Sequence, residues 1–391
     1  MQSTAQSWLV YRLTGSAFFL GLVSFAGSLP ALAFSPFSGV LADRFKRRKI
    51  LLTTQILCII QALILIILYF TGIINKWHVL FLAVFLGIAN SFDITARQTF
   101  IPLLVNRNDL SNAIALNSSM FNAARIIGPA VSGMIIASFG EGICFILNFL
   151  SYLPIIFFLC SVKTDKQEIK EFSSSLTHLK EGIDFALNTA PIKNLLILLG
   201  IFSFFGMSFM TLLPIFSDQI LGMGARGLGI LMSSSGIGAV IGALFLAARK
   251  KIFGIKKIIA VCSLIASLCL ILFSYSRNYI FSILLLFVIG FCFIIINAGT
   301  NTAIQAMSPD PLRGRIIGLY SMMFLGMFPF GSLLTGYLAH RFTPQVAVTT
   351  GAIICFLAGI YFSAKTPKLT QQAKKLISLQ EGTDKIIEPV G

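Results

Sequence analysis

Charge is what this sequence most lacks. Of its 391 residues 11% are charged and 14 are Asp or Glu, against 56% hydrophobic residues and a mean hydropathy of +0.89. A soluble domain carries about 25% charged residues, so this chain cannot coat a water-facing surface of its size, and a soluble enzyme is excluded. Disorder is excluded too, since it needs low hydrophobicity and high charge. The class left is an all-α polytopic membrane protein, because in lipid every backbone amide must be satisfied within its own segment. The seven cysteines form no C-x-x-C pair, and the three histidines sit at segment edges or in a polar link. No metal site is legible, and no cofactor is expected. There is no Gly-Lys dipeptide, hence no P-loop, which argues against ATP-driven pumping by this chain.

What is present is a series of apolar stretches, each close to the roughly 20 residues that cross a bilayer. They fall at about 17–41, 50–72, 78–103, 113–139, 142–162, 194–217, 228–248, 256–275, 279–303, 315–339 and 345–364, eleven in all. The opening MQSTAQSWLVYRL reads as the last part of another helix, too short to span alone. The expectation is that the start lies inside helix 1 and that the complete protein has twelve helices, with 17–41 as helix 2.

A net charge of +16 could suggest nucleic acid, but the basic residues cluster in short runs between apolar stretches. That pattern writes topology, and no nucleic-acid partner is expected. Twenty-four Lys and Arg lie on one side, in 44–49, at Arg97 and Arg107, in 163–193, in 249–257, at Arg313 and Arg315, and from Lys365 onward. Four (Lys76, Arg226, Arg277 and Arg341) lie on the other. The basic side is therefore expected in the cytoplasm of a bacterial inner membrane, with the C-terminus there as well.

The chain repeats. Asn90 and Gln98 in helix 4 match Asn297 and Gln305 in helix 10, and Gly128-x4-Gly133 in helix 5 matches Gly331-x4-Gly336 in helix 11. Corresponding helices run the same way, so the halves are parallel copies. The expected organisation is an N-terminal bundle over 1–162, a cytoplasmic linker over 163–192, a C-terminal six-helix bundle over 193–365 and a tail over 366–391. In the linker, Leu176, Leu179, Ile183 and Leu187 line one helical face, as in a helix lying on a membrane surface.

Three helices carry small residues at every fourth position: Gly27, Ala31, Ser35 and Gly39 in helix 2, Gly128 and Ser132 in helix 5, and Ser234, Gly238 and Gly242 in helix 8. Such stripes bring backbones together, either as static packing or as smooth faces on which two bundles rock. Their occurrence in both halves favours rocking. Asp43 ends an apolar helix, with Arg47 one turn on, and an acid there needs a partner to stay charged. Asn90, Asp93, Arg97 and Gln98 form one polar face inside apolar helix 4, where Asp93 and Arg97 are spaced to pair. Ser118, Asn122 and Arg125 share a face of helix 5, with Arg125 roughly 18 Å deep. Arg125 either pairs with Asp93 or lines a wet cavity and attracts an anionic substrate. The C-terminal copy has Thr300 opposite Asp93 and Ile304 opposite Arg97. The cavity is thus expected to be polar on the N-terminal side and apolar on the other, with Phe204, Phe205, Phe209 and Phe293 available. Glu141 and Asp218 read as surface residues at helix ends.

Gly39-x-Leu41-Ala42-Asp43-Arg44-x-x-Arg47-Arg48 resembles the loop 2–3 signature of the major facilitator superfamily, with Lys46 where that pattern has glycine. Ala124-x3-Gly128-Pro129-x2-Ser132-Gly133 is similar to its helix 5 antiporter motif, with Ala124 and Ser132 in place of two glycines. These departures keep residues small but weaken a proton-antiport reading. The stretches QSWLVYRLTGSA, Asn90-x2-Asp93-x2-Ala96-Arg97-Gln98 and Asn122-x2-Arg125-x2-Gly128-Pro129 look like the branch holding enterobactin exporters and macrolide efflux proteins. The resemblance implies the two-bundle facilitator fold, a conformational charge relay of Asp43, Arg47 and Asp93, and a helix-packing motif at Gly128, Pro129 and Gly133.

The function expected from these readings is secondary active transport by alternating access. The lead is an exporter of a small amphipathic or anionic compound, of siderophore or macrolide type, coupled to protons and monomeric. Asn90, Asp93, Arg97, Asn122 and Arg125 are the candidate cavity residues. A metabolite importer or a non-transporting scaffold on the same fold is the alternative. No paired carboxylates or nucleophile–His set is legible at membrane depth, and enzymatic activity is not expected.

Overall fold

Helix ends fall where the chain supplies glycine. The first helix, α1 (Gln2–Thr14), closes on Gly15, whose φ of 56° is left-handed and whose N–H donates to the Tyr11 carbonyl at 2.7 Å. Gly140, at φ 79°, separates α5 from α6 in the same way. The computed structural model describes residues 1–100, 104–105, 109–162, 183–249 and 254–387. The next helices are α2 (Ala17–Arg44), α3 (Arg47–Phe70), α4 (Lys76–Phe100), α5 (Leu110–Phe139) and α6 (Glu141–Ser161). A second series follows: α7 (Ala190–Ile220), α8 (Gly224–Ala247), α9 (Ile255–Tyr275), α10 (Tyr279–Met307), α11 (Asp310–Ser321 continued by Met327–Arg341) and α12 (Pro344–Ile387).

Ten helices among the described residues are long and apolar enough to cross a bilayer. Helix α5 is 30 residues long, and its apolar part among the described residues is Ile126–Phe139. Of the expected linker helix, residues 163–182, including Leu176 and Leu179, lie outside the described residues; 183–188 are helical.

In the first six helices α3 packs along α4 and α6, and α2 along α4; in the second six α9 packs along α10 and α12, and α8 along α10. The two sets meet along α2–α11 and α5–α8. Helix α1 is short but deeply set, and its polar residues are there to be used. Gln2 donates to Gln61 Oε1 (2.8 Å) and accepts from Asn148, while Gln6 donates to the Val79 carbonyl (3.4 Å). These bonds tie α1 to α3, α6 and α4, and satisfy groups that would be costly to bury alone.

Two helices are irregular. π turns at Phe202–Gly206 and Phe216–Ile220 interrupt α7, and another at Met322–Gly326 interrupts α11. The inner pair touch, with Ser203 Oγ donating to the Phe324 carbonyl. Such insertions bend a helix and often sit beside functional sites. These two lie beside the cavity between the halves.

Candidate functional site

A cavity of about 280 Å³ lies between the two sets of helices. Its first-half wall carries Gln6, Ser7, Ser24, Ser28 and Asn90; its second-half wall carries Met210, Thr211, Met232 and Phe328. Every polar group lining it is a neutral hydroxyl or amide, and no charged side chain lines it among the described residues. Such a wall recognises a ligand by hydrogen bonds and soft apolar contact. Phe204, Phe205, Phe209 and Phe293, expected at the second wall, are absent from its described lining. Phe209 is buried in the core, edge to face with Phe273 and Phe293, and Phe204 and Phe205 pack on each other.

The polar face of α4 is divided. Asn90 looks into the cavity, but Asp93 turns towards α3 and is 6% exposed. Its Oδ1 accepts from Thr54 Oγ1 (3.0 Å) and Gln55 Nε2 (2.7 Å), and its Oδ2 from Arg97 Nε (3.1 Å) and Nη2 (2.8 Å). The i, i+4 pair anticipated from spacing is thus made. Among the described residues, the groups bonding to Asp93 are Thr54, Gln55 and Arg97. Arg47 is half-buried at the start of α3. The side chains of Asp43, Asn122 and Arg125 lie outside the described residues.

Four glycines lock the halves together at the end of the molecule away from the basic runs. A Cβ on Gly133 (α5) would lie 2.8 Å from both the Ala225 carbonyl oxygen and Gly229 Cα (α8). A Cβ on Gly229 would lie 2.6 Å from the Pro129 oxygen. The second contact repeats the first: a Cβ on Gly336 (α11) would lie 2.7 Å from the Ala17 oxygen and 2.9 Å from Gly21 Cα (α2). Backbone thus meets backbone directly, which only glycine permits. Gly133 and Pro129 belong to the anticipated packing motif, whereas Gly128 faces the start of α1.

The small-residue stripes do something else. Gly87 packs on Gly27, Gly238 on Phe287, and Gly242 on Phe291, while Ser234 donates to the Ile283 carbonyl (2.7 Å). These are contacts inside one half, although Gly27 also lines the cavity between the halves; the surroundings of Ser35 and Gly39 lie outside the described residues. Periodicity identifies a smooth face but not the neighbour it meets.

The same end holds Tyr11 of α1, whose hydroxyl donates to Asp218 of α7 at 2.5 Å. Asp218 is exposed, as expected. Glu141 corrects the surface reading: it is 2% exposed, lies 2.9 Å from Arg12 Nε, and accepts from the Tyr69 hydroxyl at 2.9 Å. A carboxylate at a helix start is ordinarily solvated; this one is enclosed because α1 and α3 both end beside it.

Two cations that the charge count placed on the basic side have structural partners. Arg48 donates to the Leu159 (2.5 Å) and Cys160 (2.7 Å) carbonyls at the end of α6. Lys256, near the start of α9 as Arg48 is near the start of α3, donates to the Leu369 carbonyl of α12 at 3.0 Å. Arg48 thus sits at the C-terminal end of a helix of its own half, where a cation is favoured, whereas Lys256 meets a carbonyl inside α12.

The transmembrane secretion effector family matches residues 1–387. The chain belongs to this family of the major facilitator superfamily. It is a multi-pass membrane transporter and not an enzyme. Among its relatives, the staphyloferrin A transporter of Staphylococcus aureus is 24% identical over 93% of this chain and 92% of its own length. The multidrug efflux pump Tap of Mycolicibacterium fortuitum is 24% identical over 85% of this chain and 83% of its own. The enterobactin exporter EntS of Escherichia coli is 25% identical over 92% of this chain and 82% of its own. The fold is also that of the nucleoside transporter NupG, at TM-score 0.73 and 14% identity over 92% of this chain and 94% of that one.

Proposed function

We propose that this facilitator is a secondary active exporter of a small amphipathic compound, of the siderophore or macrolide kind, working by alternating access. The observation that carries the reading is the neutral, hydrogen-bonding cavity between two repeated helix sets that, among the described residues, glycines lock together at the end away from the basic runs. The rocking bodies are residues 1–162 and 193–365, joined by 163–192, and one chain is the working unit. The basic end faces the cytoplasm of a bacterial inner membrane, placing the C-terminus there. The arrangement is then inward-facing: the cavity loads from the cytoplasm while the outer locks are shut. Separation of the glycine pairs and closure of the basic end release the compound outside.

Outward direction is supported by relatives named as an exporter and an efflux pump. The lining favours a compound rich in hydroxyl, carbonyl or amide groups over one held by a salt bridge. Proton coupling is assigned to Asp93, an acid inside a span, whose protonation frees Arg97 and loosens α3 from α4. Asp43 and Arg47 act at the cytoplasmic edge of the same unit. One charge crossing about 150 mV yields roughly 3.5 kcal/mol, enough for a gradient of order 10² to 10³.

The test is efflux from cells stripped of their own exporters, with a panel of siderophores and macrolides, before and after collapse of the proton gradient. Lower accumulation that disappears on collapse supports the reading. Accumulation raised by expression of the chain would make it an importer.

A further inference from the structure

We infer that the first helix set carries a second ligand site, which takes an anionic phospholipid with a hydroxylated headgroup. A cavity of about 340 Å³ lies among α3, α4, α5 and α6 at the basic end and shares no lining residue with the central cavity. Its size falls within the range of ligand pockets. Three polar residues face it, Gln55, Arg97 and Asn117; the rest of its wall includes Phe100, Ile155 and Phe158.

Gln55 is the observation that asks for a ligand. It is 2% exposed, and its Nε2 is fixed on Asp93. Because Asp93 only accepts, the amide cannot be turned round, and Gln55 Oε1 is left buried without a hydrogen-bond partner among the described residues. A buried carbonyl in that position is costly unless a donor arrives. Beside it Arg97 is half-exposed at the cavity wall, with Asp93 behind it and outside the lining. The cavity therefore meets the cationic edge of the guanidinium. No acid lines it among the described residues, and Arg48 binds the carbonyl of lining residue Leu159.

The ligand must then offer an anion to Arg97, a hydroxyl to Gln55 Oε1 and an apolar body to the remaining wall. Phosphate, glycerol hydroxyls and acyl chains of one lipid meet all three, and Phe158 and Leu104 on the wall are exposed large apolar residues. Basic groups at this end also draw acidic lipid to it. Helices α5 and α6 are joined near the opposite end, where Ser132 Oγ lies 3.6 Å from Cys144 Sγ.

The test uses the full chain, delipidated in detergent and offered equal amounts of phosphatidylglycerol and phosphatidylcholine, with bound lipid counted by native mass spectrometry. Soluble glycerol phosphate is offered separately. Phosphatidylglycerol is expected to be retained about tenfold over phosphatidylcholine, and glycerol phosphate alone is not retained. Arg97→Gln removes the cation, and Asn117→Trp fills the cavity from an exposed position on α5 without touching Asp93. Both are expected to lower retention about tenfold; if Arg97→Gln does not fold, Asn117→Trp decides alone. Equal retention of the two lipids, or unchanged retention in Asn117→Trp, overturns the site. Retention of glycerol phosphate without chains overturns the lipid assignment.

Discussion

The two halves of this transporter agree in their joints and differ in their chemistry. Gly133 against Gly229 and Gly336 against Gly21 are one contact made twice, and Arg48 and Lys256 bind the sixth helix of their respective halves alike. On α4 and α10 the agreement ends. Asp93 collects four hydrogen bonds, including two from Arg97, whereas Thr300 is fully buried and its hydroxyl has no hydrogen-bond partner among the described residues. In α10 the polar contacts are neutral: the Tyr320 hydroxyl donates to Asn297 Oδ1 at 2.7 Å, and Gln305 to Asn301 at 2.9 Å. Alternating access needs matching hinges, but charge need reside in only one half.

The largest test of that comparison is at the locks. Gly133→Leu and Gly336→Leu each drive a side chain into backbone, and overpacking of this kind costs about 1–3 kcal/mol. Each should shift the closure of the glycine-locked end by roughly ten- to a hundredfold and cut transport to match. Cysteine accessibility at the glycine-locked end of the cavity would register the shift. A severe loss in one variant beside a silent other would break the equivalence of the locks.

The asymmetric positions give the next effect. Asp93→Ala strands Thr54, Gln55 and Arg97, and should cost about 2–3 kcal/mol in detergent melts. That is less than for a fully enclosed pair, since Arg97 is half-exposed. Thr300→Val should be neutral or stabilising, because it removes a buried hydroxyl with no partner among the described residues. Equal destabilisation by the two would dissolve the proposed division of labour. Arg48→Met and Lys256→Met remove charged hydrogen bonds, and each should lower stability by about 1.5–2 kcal/mol, read in the same melts. The smallest change is Tyr320→Phe, about 1 kcal/mol from one neutral bond, with transport retained.

Much of this was legible beforehand for physical reasons. Span length and charge bias mark helices that must satisfy their own backbone and orient in a membrane. The spacing of Asp93 and Arg97 implies their pairing, because residues four apart on a helix are neighbours. Direction round the helix was less legible. The 3.6-residue period put Asn90 and Asp93 on one face, yet 60° of that face separates the central cavity from the α3 contact. The burial of Glu141 and the orphaned Gln55 carbonyl depend on three or more helices converging, which no local spacing encodes.

The amino-acid order by itself determined a helical bilayer protein with two parallel halves, small residues for close approach and a few intramembrane charges. Hydropathy, charge count and repeat offset are properties of a chain read one segment at a time. The folded molecule alone decided which glycines meet across the halves, that the π turns of α7 and α11 touch, and that the cavity lining described here is neutral. Those outcomes depend on which faces point at each other, and helix rotation is set by the packing of all neighbours together.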